Sequence, residues 1–371
     1  MRVLICGGGV IGASIAYFLA LREIEAVVIE RTGIACAASG KSGGFLALDW
    51  CDATPVAPLA RRSFALHAEL AQTLGGGWGY RRLDTLGVVA STRRDVGSYR
   101  QLAAPEWLDG EAAVYRQLGT ADTTAQVDPA AFTNAMMEAA IDRGARLRLG
   151  CVTGLTTSGA DATVTGAIVN GETVPVDAVV VAMGPWSVLA CRWLPLPVVH
   201  GLKGHSLVFQ YEPPASPRAL FVEFETAEGA TESPEVVPRP DGTTYVCGVS
   251  SQAPLPVDPA RVEPDPGACE ALRAMTARVA PGLGAATVLA AQSCYRPIVQ
   301  DGLPLIGKVP GVEGAYVATG HSVWGILNAP ATGEAMAELI ADGTARTVDL
   351  SPFDPARLPP LDRDEITTSG L

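Results

Sequence analysis

The 371-residue sequence is poor in histidine, with four, and in aromatic residues, at 6%. It has no basic excess either: 27 Lys and Arg against 39 Asp and Glu leave a net charge of −12. Nucleic acid and anionic membrane surfaces both require a basic face, so neither is expected as a partner. No run of about eighteen apolar residues occurs, so no membrane span is expected. Eight cysteines are scattered without a C-x-x-C pair or a Cys/His cluster, which suggests neither a metal site nor a disulfide framework and fits a reducing compartment. The N-terminus shows no charged segment followed by a cleavage site. A soluble, intracellular, cytoplasmic protein is therefore expected, or an organellar one if a transit segment was removed.

What is present describes a packed enzyme-sized chain. Hydrophobic residues make up 48%, charged ones 18%, and the mean hydropathy is +0.23. The length favours two domains, and 40 glycines with 28 prolines imply many tight turns.

The strongest pattern stands at the start. "RVLIC" reads as a buried parallel strand; Gly7, Gly9 and Gly12 then form G-x-G-x-x-G at the opening of a helix with Val10 and Ile11 in its first turn; a second strand ends at Glu30. Gly7 permits the tight turn, Gly9 lets the backbone approach a pyrophosphate, and Gly12 lets helix pack on strand. The helix N-terminus offers free N–H groups and a positive dipole end to phosphates. Glu30 is placed to accept both hydroxyls of an adenosine ribose, with Arg31 beside it. The acid disfavours a 2′-phosphate, leaving NAD or FAD. The small-residue loop from Thr32 to Gly44 suits a flat cofactor, with Ser39, Lys41, Ser42, Gly43 and Gly44 as contacts.

Further along, "DPAAFTNAMMEAAIDRGAR" reads as a helix capped by Asp128, with Pro129 at its first position. Val179 to Ala182 reads as a buried strand ending at "MGPW", where Gly184 and Trp186 approach the cofactor. His200 to Val249 reads as an antiparallel sheet, and the proline-rich 251–270 stretch as a connection. "GAYVATGHSVWGILNAPATGEAMAELIADG" reads as strand, loop and helix, with Pro330 near the helix start and Gly343 after its end. In "SCYRPIVQDGLPLIG", Arg296 sits in an apolar, Gly/Pro-punctuated stretch and requires a counter-charge from the chain or from a ligand.

Five blocks carry a resemblance: the Gly7–Glu30 unit; "AASGKSGG"; "VVVAMGPWS"; "VVPRPDGTTYVCG"; and "YRPIVQDGLPLIG…GAYVATGHSVWGILNAPATG". Together they resemble the D-amino acid oxidase superfamily of FAD-dependent oxidoreductases, most closely its glycine oxidase and sarcosine oxidase branch. The loop "CAASGKSGGFLALDWCD" is similar to a subgroup of that branch with no substrate assigned.

The resemblance implies a mixed α/β (α+β) fold: a discontinuous Rossmann-like FAD domain (1–48, 129–200, 291–371) and an antiparallel-sheet substrate domain (49–128, 201–290). It implies FAD and a small-molecule carboxylate substrate with O2 or another electron acceptor; Cys294 precedes Tyr295 and no cysteine stands in the flavin loop, so the FAD is expected to be held non-covalently. Arg296 then binds the carboxylate, and hydride passes from Cα to the flavin. Gly320, His321, Gly325, Ile326 and Leu327 are expected at the isoalloxazine edge, with His321 assisting there, while Tyr295 and Trp324 line the substrate cavity. Lys203 is a weaker candidate for cofactor or oxygen contact. Oligomerisation is left open. Two alternatives remain: a 2-hydroxy acid oxidoreductase, requiring His321, His205 or His200 as a base, and a non-catalytic, flavin-stabilised scaffold in an interaction or trafficking complex.

Overall fold

The computed structural model describes residues 1–108, 111–160, 162–214 and 218–362. The strand Arg2–Cys6 is apolar throughout because both of its faces are covered. Val3 and Ile5 enter one core with Val28, Val180 and Ala318; Leu4 and Cys6 enter a second with Val27, Ile29, Val179 and Val181. This strand lies within a six-stranded sheet in the order Arg146–Leu149, Glu25–Glu30, Arg2–Cys6, Ala178–Val181, Ala315–Thr319, Leu305–Lys308. All neighbours run parallel except the last pair. Helices Val10–Ala20, Ala57–Thr73, Pro129–Ile141 and Gly325–Asp342 cover one face, and a small antiparallel sheet covers the other.

Local chemistry sets the helix ends. The Asp128 side chain accepts from the Ala131 N–H at 2.7 Å, with Pro129 leading the helix as expected. Gly343 closes Gly325–Asp342 at φ +79°, in the left-handed region that glycine adopts without strain.

Pro330 departs from expectation. The helix begins at Gly325, so the proline lies in its interior and leaves the Ile326 carbonyl without its helical donor. A neighbouring helix repairs the gap: His67 Nε2 donates to the carbonyls of Ile326 at 2.9 Å and Leu327 at 3.2 Å, while Ser63 Oγ accepts from the Ala331 N–H at 3.1 Å. Burial lowers the His67 pKa to about 4, so the ring is neutral at neutral pH, and among the described residues its Nδ1 has no partner.

The second large sheet has the order Val288–Ile298, His200–Phe209, Thr244–Ser251, Glu235–Pro238, Arg218–Glu225, Asp84–Ser91, Ala112–Gly119, with Thr231–Glu232 paired to Arg218–Glu225. Its pairs are antiparallel except Arg218–Glu225 with Asp84–Ser91.

Two boundaries differ from those expected. Ala57–Thr73 falls within 49–128, yet Leu59, Phe64, Leu66 and Leu70 enter the core under the six-stranded sheet. Val288–Ile298, expected with the cofactor part from 291 onward, is instead an edge strand of the second sheet, held by ladder pairing such as Leu202 with Arg296. Residues 363–371 lie outside the described residues.

Candidate functional site

A cavity of about 520 Å³ runs from the carboxyl ends of the parallel strands to the face of the eight-stranded sheet. Gly7, Gly9, Val10 and Ile11 line its nucleotide end. Gly7 has φ +110°, and a Cβ on it would lie 2.5 Å from the Ala182 carbonyl oxygen, so only glycine fits. Gly12 does not line the cavity; a Cβ there would lie 2.0 Å from the Gly7 carbonyl oxygen, and its part is close packing.

Glu30 is buried at the cavity wall, accepting from the N–H groups of Gly8 at 2.6 Å and Thr32 at 2.7 Å. These bonds fix the carboxylate at the strand end. Arg31 lines the cavity and donates to the Val257 carbonyl at 3.2 Å. The loop that follows forms a short helix, Ala38–Lys41. Ser39 Oγ accepts from the Val10 N–H at 2.9 Å, while Ser42, Gly43 and Gly44 line the cavity. Ser42 Oγ is buried and has no partner among the described residues. A buried hydroxyl without a partner is costly, and a polar cofactor atom resolves it. With the backbone cradle at Gly7 and Gly9, it fits the residues to a dinucleotide.

Lys41 departs from expectation: it lies off the cavity, its Nζ donating to the Ser293 carbonyl at 3.3 Å. Gly184, Trp186, Gly320, Gly325 and Ile326 line the cavity, whereas Leu327 is buried in the core beneath the six-stranded sheet and does not.

Toward the second sheet the side chains change character. Phe45, Trp50, Phe221 and Trp324 form an aromatic wall, with ring centroids 4.7 Å apart for Trp50–Phe221 and 6.1 Å for Trp50–Trp324. Arg296 faces the same cavity. Its guanidinium lies across Gly204 of the adjacent strand, where a Cβ would approach Nη2 to 3.2 Å, and Nη1 donates to Ser250 Oγ at 3.1 Å. Among the described residues no carboxylate forms an ion pair with it.

Three other candidates act elsewhere. Tyr295 is buried and does not line the cavity; its hydroxyl donates to the Pro254 carbonyl at 2.6 Å. Lys203 pairs with Asp265 at 2.5 Å. His205 lines the cavity, but its Nδ1 donates to the Val249 carbonyl at 2.6 Å and its Nε2 accepts from the Asp265 N–H at 3.0 Å. With Trp186 Nε1 donating to the Pro256 carbonyl at 2.7 Å, these groups tie down the proline-rich connection, and Val257 and Pro259 of that connection line the cavity. His321 does face the cavity; burial lowers its pKa to about 3, and Nε2 meets Thr332 Oγ1 at 3.1 Å.

Phe45, Trp50, Phe221, Glu235, Tyr245 and Cys247 all line the cavity and were not singled out by sequence. A signal for two of them was present: a hairpin turning at Asp241-Gly242 places Glu235 opposite Cys247.

A dinucleotide crevice opening under an antiparallel sheet, with a cavity-facing guanidinium beyond it, fits a flavin-type oxidoreductase. The chain belongs to the FAD dependent oxidoreductase (DAO) family, whose model matches residues 2–339, and its cofactor is FAD. The glycine oxidase of Geobacillus kaustophilus (strain HTA426) is 29% identical, covering 96% of each chain. The uncharacterized oxidoreductase YurR of Bacillus subtilis (strain 168) is 28% identical, over 95% of this chain and 98% of its own. A crystal structure of glycine oxidase from Geobacillus kaustophilus superposes with TM-score 0.78 at 25% identity, covering 96% of this chain and 99% of that one. The protein is an FAD-dependent oxidase or dehydrogenase of the amino acid and amine oxidase type. Among the described residues no helix is long and apolar enough to cross a membrane.

Proposed function

We propose that the protein oxidises the Cα–N bond of a small amino acid or secondary amine carboxylate, with Arg296 anchoring the carboxylate. The observation that carries this reading is a cavity-facing guanidinium whose hydrogen-bond partner is a neutral hydroxyl, Ser250 Oγ at 3.1 Å. A planar guanidinium binds a carboxylate with two parallel charge-assisted bonds, and the missing side chain at Gly204 lets the guanidinium lie across that strand and face the cavity. FAD, when bound, supplies the hydride acceptor. The chain's own part is to hold the substrate in one orientation, and the Phe45, Trp50, Phe221 and Trp324 wall keeps water from the reacting carbon.

Two features weigh against the alternatives. A hydroxy acid oxidase using histidine needs a free basic ring, whereas His205 is engaged at both nitrogens and His321 is a weak base. A scaffold needs neither an open cavity nor an Arg296 without an acidic partner.

Anaerobic mixing of the flavoprotein with glycine, N-methylated, cyclic and D-amino acids tests the reading. One class is expected to bleach the flavin absorbance. Bleaching by 2-hydroxy acids, with none of the amines active, would overturn it.

A further inference from the structure

Arg296 accounts for one charge on the substrate face; Glu235 is a second, and the reading above leaves it unused. It lies on the strand Glu235–Pro238, two strands from His200–Phe209, over which the Arg296 side chain passes. Glu235 lines the same cavity. The partner it has is the Cys247 thiol, with Sγ 3.6 Å from Oε2, and a thiol is a weak donor. Among the described residues no cation forms an ion pair with it. The two charges nevertheless act on each other: burial raises the Glu235 pKa, and Arg296 opposes that rise.

The ground between them is low. Gly204, Ser206 and Cys247 line the cavity there, all small, while Phe221 stands beside Glu235 in the ladder. The face thus carries a guanidinium and a carboxyl group, held by separate bonds to Ser250 and Cys247, and among the described residues neither forms an ion pair. A buried carboxylate without a cation is unfavourable, and a ligand that brings an ammonium group to it while its own carboxylate meets the guanidinium relieves that cost.

We propose that Glu235 receives the substrate's amine, so that the site selects a zwitterion, with carboxylate on Arg296 and ammonium on Glu235, over acids that lack the nitrogen. This rests on Arg296 being the carboxylate anchor. The same contact gives the ammonium proton a destination: R–NH3+ facing the Glu235 carboxylate becomes R–NH2 facing the Glu235 carboxylic acid. The amine then holds the lone pair that departure of the Cα hydride requires, and FAD takes the hydride.

The test uses the flavin-loaded full chain and two probes, 2-aminoisobutyrate and 2-hydroxyisobutyrate. They differ only in amine against hydroxyl, and neither has a Cα hydrogen to lose. Binding is read from the perturbed flavin absorbance. The unmodified protein is expected to bind the amine about tenfold tighter or more, the worth of a charge-assisted hydrogen bond. Glu235→Gln, nearly isosteric, is expected to erase that preference while leaving the affinity for the hydroxy acid unchanged. A preference that survives Glu235→Gln overturns the proposal. So does its absence in the unmodified protein, including failure to bind either probe. Arg296→Gln separates the two layers: if it abolishes binding of both probes while flavin is retained, the anchor stands whatever Glu235 does. If both probes still bind it as tightly, the anchor itself is wrong.

Discussion

The nucleotide end and the substrate end of the cavity are assembled over very different distances along the chain. Glu30 is locked by Gly8, 22 residues away, and Ser39 meets Val10, 29 residues away, all within the first strand–helix–strand unit and its following loop. At the other end Arg296 reaches Ser250, 46 residues away, over a glycine from a third strand. The aromatic wall joins Trp50 to Trp324, and Glu235 faces the cavity through the register of a hairpin. The first region tolerates almost no added volume, at Gly7 because the Ala182 carbonyl closes on it and at Gly12 because the Gly7 carbonyl does. The second depends on strand register, and single side chains in it can be exchanged without disturbing the cofactor.

Substitution at Gly12 exerts the largest expected effect on this contrast. Gly12→Val forces a side chain onto the Gly7 carbonyl oxygen, which a Cβ alone would approach to 2.0 Å. The chain is expected to lose flavin altogether, read as the flavin-to-protein absorbance ratio of the purified material. Full flavin content in this variant would break the contrast.

Arg296→Gln comes next. It is expected to lower kcat/KM by about 2–5 kcal/mol of lost charged-pair binding with flavin content unchanged. Concomitant loss of flavin would show that the two ends are not separable.

His67→Gln is expected to cost about 1–3 kcal/mol of stability, since it withdraws the ring N–H from the carbonyls that Pro330 leaves open. This variant also has a pH signature. The His67 pKa falls from 6.5 in the unfolded chain to about 4 in the fold. Between those values the unfolded state binds the extra proton, so stability drops as pH falls from 6.5 toward 4. Melting temperatures across that window should fall less steeply in His67→Gln than in the unmodified protein.

The smallest effect is expected from Trp186→Phe, which removes the bond to the Pro256 carbonyl at 2.7 Å. About 1 kcal/mol is at stake, and it should surface as faster amide exchange in residues 252–258 with little change in global melting.

The features legible before folding were those in which the chain's neighbours do the work. The Gly7–Glu30 unit, the Asp128 cap and the glycine after Asp342 are each specified by backbone geometry over a few residues, and each stands where its pattern placed it. The Gly7–Glu30 unit by itself leaves NAD or FAD; FAD dependence and the oxidoreductase class come from the five-block resemblance and are shown by the family match. Residues whose role is set by a remote strand were read less well. Tyr295 sits beside Arg296 in sequence, yet alternation along the strand turns it away to Pro254, and Lys41 reaches Ser293 instead of a phosphate.

Sequence alone therefore determined the cofactor crevice, because a tight turn, a helix N-terminus and an acid at a strand end need only consecutive residues. Tertiary structure alone decided what faces the substrate. Pro330 lies mid-helix because Ser63 and His67 satisfy the groups it frees, and Glu235 shares a cavity with Arg296 because pairing in the eight-stranded sheet sets both on one face. Hydrogen-bond partners drawn from across the chain carry no local signature, and charge placement in this cavity depends on them.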